Sequence, residues 1–283
     1  MQIAHADTFQ GEVTSPEFRG GGKEFRTLLR GRDGDPANYR MVYARQTGSV
    51  SGPRHRHNFD QVRLCLEGRV NFGPDRWIDP GELAYFPEGA HYGPEESDVP
   101  RLALTIQFGG PSGFGFVSET QQLAAMEELK ASGRFEKGVY RREGDLPEGA
   151  KRNQDAFEAI WERVNGRRIA YPARRYDDPI LMRPQNFPWR LVKGENGVEE
   201  RALGTFTERK IEVSMRRVAA GSRTRFSVRR SPLLGFLLAG AAKLDGEDLR
   251  LHSAFELGAG ETGTLDASVP TEIFLLGLPE FDA

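Results

Sequence analysis

Three of the five histidines in this 283-residue chain fall between positions 55 and 91. His55-Arg56-His57 is followed by Gln61 and then, after a Pro-x-Gly turn, by His91. Imidazoles two apart on a strand project from one face, so His55 and His57 can grip a single metal ion together. Core packing alone does not explain such a concentration, and the surrounding elements are read as its supports.

Bulk properties narrow the classes of partner. Charged residues make up 28% and hydrophobic ones 38%, an ordinary soluble globular composition. A formal charge of -2 excludes a strong nonspecific pull toward nucleic acid or an anionic membrane, so the expected partner is a small molecule. One cysteine, Cys65, excludes an intramolecular disulfide, and the opening MQIAHADTFQGEV has neither a basic region nor an apolar run of signal-peptide length. A reducing cytoplasm is the expected compartment. The most apolar stretch, SPLLGFLLAGAAKL, is far shorter than the ~20 residues of a bilayer-spanning helix, so no membrane partner is expected.

The elements that must position the histidines are short and β-favouring. YRMVYAR, QVRLCLEG, GELAYFP and RLALTIQF are separated by Gly, Pro, Asp and Asn, which predicts a sandwich or barrel. Two helical segments interrupt this pattern. Ser118 and Gln121 form a capping box that opens SETQQLAAMEELKASG. NQDAFEAIWERVNG puts Phe157, Ile160, Trp161 and Val164 on one stripe and ends at Gly166; both helices read as structural packing. A Pro-, Arg- and aromatic-rich connection follows from about 168 to 200. Strand grammar then returns in RKIEVSMRRV, PLLGFLLAG, LRLHSAFEL and TEIFLLGLP.

PRHRHNFDQVRLCLEG and PGELAYFPEGAHYGP resemble the two signature motifs of the cupin superfamily. His55, His57, Gln61 and Gly68 hold the spacing of the first motif, with Gln61 in place of the usual Glu. Gly81, Pro87, Gly89 and His91 match the second, although only Ala90 separates Gly89 from His91 and Tyr92 stands at the expected ligand position. A one-residue adjustment in the turn that restores His91 is the favoured reading; otherwise His91 points elsewhere. The resemblance implies an all-β chain of two antiparallel barrels: a metal-binding barrel over 1–117, a connection over 118–200 and a degenerate barrel over 201–283.

It also implies one divalent metal held by His55, His57, Gln61 and His91, with iron(II) favoured over Zn, Ni or Mn. Three neutral imidazoles and an amide leave the cation its full formal charge, which favours an anionic substrate. Alternation along the strand sends Arg63 and Cys65 inward with Gln61. Arg63 is then either an anchor for a substrate carboxylate or half of an ion pair with a neighbour such as Asp60 or Glu67. Tyr92 is a candidate catalytic group, Tyr85 and Gln107 are candidate substrate contacts, and Cys65 reads as an inert core residue.

The second half serves as an internal control. Setting Gly240 against Gly68 puts Ser227, Arg229 and Leu233 where His55, His57 and Gln61 stand, so the ligands are missing there. The functional expectation is a metal-dependent enzyme acting on a small acidic or enol-type molecule, most plausibly an iron(II) dioxygenase. A Zn or Ni isomerase, lyase or cyclase and a non-enzymatic small-ligand binder are the alternatives. Exposed barrel edges favour a homodimer.

Overall fold

A computed structural model of the protein describes residues 1–7, 23–114, 116–146, 148–149, 151–227 and 229–281. The chain separates into two compact units, one built around residues 31–181 and the other around residues 182–283. Both are antiparallel β structures. Among the described residues no helix is long and apolar enough to cross a membrane.

In the first unit four neighbouring strands of a six-stranded sheet run in the order Leu83–Phe86, Asp60–Glu67, Arg101–Phe108 and Tyr39–Gln46. Two short ribbons accompany it, Val50–Gly52 with Glu95–Ser97 and Val70–Gly73 with Arg76–Ile78. The inward alternation of the sheet carries Cys65, Ala84, Phe86 and Ala103, which pack with Val70, Phe72, Ile78 and Tyr92 into one buried cluster. This is the period-two pattern of a strand whose one face lines a core.

The two helices are as the sequence predicts. Ser118 and Gln121 complete a reciprocal capping box on helix Glu119–Lys130, and helix Ala156–Asn165 ends on Gly166 in the left-handed region. The second helix is amphipathic, and its Phe157 and Trp161 pack with Phe59 and Phe116. That packing makes the helical stretch part of the first unit. The expected separate connection over 118–200 is thus divided near residue 181. The chain's first strand, Gln2–His5, lies outside the first unit as well, because it pairs with Ser253–Leu257 of the second.

The second unit holds a seven-stranded sheet in the order Gln2–His5, Ser253–Leu257, Leu233–Ala239, Thr271–Gly277, Ile211–Val218, Val198–Phe206 and Arg190–Leu191. A four-stranded sheet runs Arg223–Phe226, Gly263–Ala267, Ala242–Leu244 and Glu247–Leu249. Leu237, Phe255, Leu265 and Ile273 are among its fully buried core residues. The alignment of Gly240 with Gly68 has a direct counterpart in the backbone. Gly68 has φ +69° and a Cβ there would stand 2.2 Å from the Pro100 carbonyl oxygen; Gly240 has φ +85° and would meet the Pro270 oxygen at 2.3 Å. Only glycine fits either turn.

Candidate metal and ligand site

His55 and His57 come from an irregular segment just before the Asp60–Glu67 strand rather than from a strand itself. A single antiparallel bridge fixes His55, whose N–H and C=O each exchange a 3.0 Å hydrogen bond with Tyr92. Residues directly opposed across such a bridge place their side chains on the same face. Tyr92 therefore turns inward with His55, and its neighbour His91 turns away.

Among the described residues, His91, expected as a ligand, is not grouped with His55 and His57 in a set that could share an ion. It is only half-buried, and its pKa is held below the usual imidazole value by burial and by Arg54, Arg56 and Arg174. The turn after Gly89 makes no adjustment that restores it. Tyr92 is 4% exposed, and its ring lies 4.3 Å from that of His55 and 4.8 Å from that of Phe86.

The two inward imidazoles are held from behind. His55 Nδ1 lies 2.7 Å from the Pro53 carbonyl oxygen. A carbonyl only accepts, so Nδ1 carries the proton and Nε2 the lone pair, the tautomer that metal-ligating histidines commonly use. The His57 carbonyl accepts from Gly89 N–H at 2.7 Å, which ties the histidine segment to the Pro-x-Gly turn. The His57 ring stacks on Phe59 at 4.4 Å and takes the Phe157 edge at 4.7 Å, and its Nε2 lies 3.0 Å from the Tyr92 hydroxyl.

Gln61, Arg63 and Gln107 share this face, since Gln61 pairs with Gln107 across the sheet. The Gln61 carboxamide is satisfied with its oxygen toward Arg63, accepting from Nε at 3.2 Å and Nη2 at 3.3 Å. That end of the amide lies 3.5 Å from the Tyr92 hydroxyl, and the other end 3.4 Å from the Gln107 carboxamide. Arg63 also donates from Nη2 to the Tyr92 hydroxyl at 3.2 Å and pairs through Nη1 with Glu95. Glu95 is 6% exposed and stands opposite Gly52 on the ribbon. Asp60 and Glu67, the partners suggested by sequence proximity, are not the ones used.

Tyr85, expected as a substrate contact, faces away from these groups. It stands opposite Val62 in the sheet and donates a 2.6 Å hydrogen bond to Asp60 on the far face. Asp60 also accepts from the Glu88 N–H at 2.7 Å. Burial pushes the Asp60 carboxyl up to about 8, against the pull of the Tyr85 hydroxyl. Glu88 in turn accepts from Ser112 and pairs with Arg175. This buried network braces the turn that carries the second motif and does not line the site.

Sequence reasoning passed over three supports. Glu95 carries no periodic signal, and the Pro53 carbonyl is invisible in side-chain types. Phe157 was legible only as one member of a helical stripe. In the second unit Arg229, aligned with His57, presses on Gly277, where an added Cβ would stand 2.5 Å from Nη2, and it pairs with Glu212. An arginine thus stands where the first unit has an imidazole.

A metal ion can be tested against these donors. Among the described residues no three His, Cys, Asp or Glu side chains are grouped to share an ion, so the relevant set is the mixed one of His55, His57, Gln61 and Tyr92. Two ligand atoms each about 2.1 Å from an ion stand about 3.0 Å apart at a right angle and about 3.4 Å apart at a tetrahedral one. The separations of 3.0 Å from His57 Nε2 to Tyr92 Oη and 3.5 Å from Gln61 to Tyr92 Oη are hydrogen-bond lengths that also fall near those edges. Imidazole nitrogen, amide oxygen and phenol oxygen are donor types that suit a divalent ion.

No protein-family profile matches the chain, and no curated protein matches it. Solved structures do. A candidate dioxygenase from Nostoc punctiforme superposes with a TM-score of 0.62 at 11% identity over 99% of this chain and 82% of that one. Oxalate decarboxylase from Bacillus subtilis gives 0.55 at 14% over 99% and 77%. A candidate glyoxylate-induced protein from Pseudomonas aeruginosa gives 0.59 at 10% over 99% and 88%. At such identities the likeness establishes the architecture, an all-β chain of two cupin-type barrels. This is the bicupin fold that the two motifs imply.

Proposed function

We propose that the first unit is the site of a metal-dependent enzyme acting on a small acidic or enol-type molecule, with iron(II) dioxygenase chemistry as the leading assignment. The observation that carries this reading is the convergence of His57, Gln61 and Tyr92 within 3.5 Å, beside a His55 whose Nδ1 is occupied by a backbone carbonyl. The names of two structural neighbours, an oxalate decarboxylase and a candidate dioxygenase, support it. When bound, a divalent ion supplies Lewis acidity to a substrate oxygen and, as iron(II), the electrons that activate dioxygen.

The chain's own residues set the conditions. Pro53 and Gly89 fix the two imidazole-bearing residues, and Phe59 and Phe157 wall the His57 ring. Arg63, neutralised by Glu95, orients Gln61 and Tyr92 through hydrogen bonds. Its role in this reading is positioning, and Gln107, half-buried beside Gln61, is the polar group set to meet a substrate.

Elemental analysis of protein purified without a metal-binding tag tests the reading directly. About one equivalent of metal, lost on combined His55→Ala and His57→Ala substitution, is expected. Oxygen uptake that tracks iron loading, measured with a panel of small carboxylates and enols, supports the dioxygenase. Turnover under strict anaerobiosis points instead to a Lewis-acid isomerase, lyase or cyclase. A non-enzymatic binder would keep its ligand affinity after both histidines are replaced.

A further inference from the structure

We propose that Tyr92 supplies the oxygen ligand that completes the metal site, bound as tyrosinate in place of His91. The inference rests on the metal-dependent reading above and concerns which side chain closes the site. Its basis is the bridge between His55 and Tyr92, which turns the tyrosine into the barrel and aims its hydroxyl at His57 Nε2 at 3.0 Å.

Three further observations point to this hydroxyl. It is the common neighbour of His57, Gln61 and Arg63, so three polar side chains of the face converge on one oxygen. The ring packs between His55 and Phe86, at 4.3 and 4.8 Å, with the Arg63 guanidinium 5.1 Å over its face, and its hydroxyl is directed at the cluster. The Arg63 guanidinium at 3.2 Å donates to that oxygen, and a cationic donor stabilises an anionic acceptor more than a neutral one. With Glu95 buried against the same arginine, a tyrosinate adds a negative charge that the incoming cation balances. In the binding step the phenol O–H bond breaks, the metal–oxygen bond forms and one proton passes to the buffer.

The test loads the full-length protein with iron(III), added as a ferric chelate so that no redox step intervenes. A phenolate-to-iron charge-transfer band in the visible, with tyrosinate modes in the resonance Raman spectrum, is expected. Tyr92→Phe, which keeps the ring and its packing, should abolish the band and weaken metal affinity about tenfold or more, at or beyond the loss typical of altered metal-site residues. His91→Ala should keep both the band and the affinity. An iron-loaded protein without the band overturns the inference, as does a His91→Ala variant that loses iron while Tyr92→Phe retains it. Failure of the natural protein to bind any metal overturns the underlying reading itself, and the two failures are told apart by metal content.

Discussion

At the scale of single residues, neighbours on one strand have opposite fates set by which way they point. Gln61 and Arg63 meet the site, whereas Asp60 faces the other side and receives the Tyr85 hydroxyl and the Glu88 amide. Replacing Tyr85 by Phe removes one donor from a buried carboxyl and should cost about 1–3 kcal/mol of stability with metal content unchanged, as chemical denaturation and elemental analysis would show. Glu95→Ala is the more severe change, because it strands the Arg63 guanidinium in the interior. A loss of about 3–5 kcal/mol is expected by the same denaturation assay. Cys65 is fully buried, and desolvation pushes its thiol up to about 11. Iodoacetamide at mild alkaline pH should leave it unmodified in the folded protein and label it readily in urea; rapid labelling of the native chain would contradict the packing described.

At the scale of elements, the first motif was legible because its imidazoles precede, and Gln61 lies on, a strand whose alternation is unmistakable. The second motif was not fully legible. Sequence spacing placed Tyr92 at the ligand position and His91 beside it, but it could not say which of the two turns inward. That choice belongs to the hydrogen-bonded register between His55 and Tyr92, a long-range contact that no local pattern encodes. The facing of Tyr85 was not legible for a related reason: period two says that alternate residues share a face, and only strand pairing says which residues of neighbouring strands share it. The helix carrying Phe157 shows the converse, a stripe read correctly as packing whose buried neighbour is the His57 ring. Phe157→Ala should lower stability by about 3–5 kcal/mol and also weaken metal binding, since the His57 ring loses its wall. A calorimetric titration with zinc at a temperature where the variant stays folded separates the two effects.

At the scale of the whole molecule, both barrels were legible from the recurrence of strand and turn signals, whereas the divisions between them were not. Helices read as a separate connection belong with the first barrel because their apolar stripe is buried there, and the opening strand belongs with the second because its hydrogen-bonding partner is Ser253–Leu257. Glycine substitutions offer a check on both halves. Gly68→Ala and Gly240→Ala each drive a methyl into a backbone carbonyl at a positive φ and should destabilise by more than Gly81→Ala. Gly81 shares that φ region but has open space around it, so only about 1 kcal/mol of backbone strain is expected there. Equal losses at Gly68 and Gly81 in thermal melts would argue against the close approach.

Those two glycines, each pressed under the carbonyl of a proline in its own barrel, mark one shared steric demand in shells whose other side chains differ. Neither turn admits so much as a methyl group, so each half is bound to glycine there whatever chemistry its remaining residues carry.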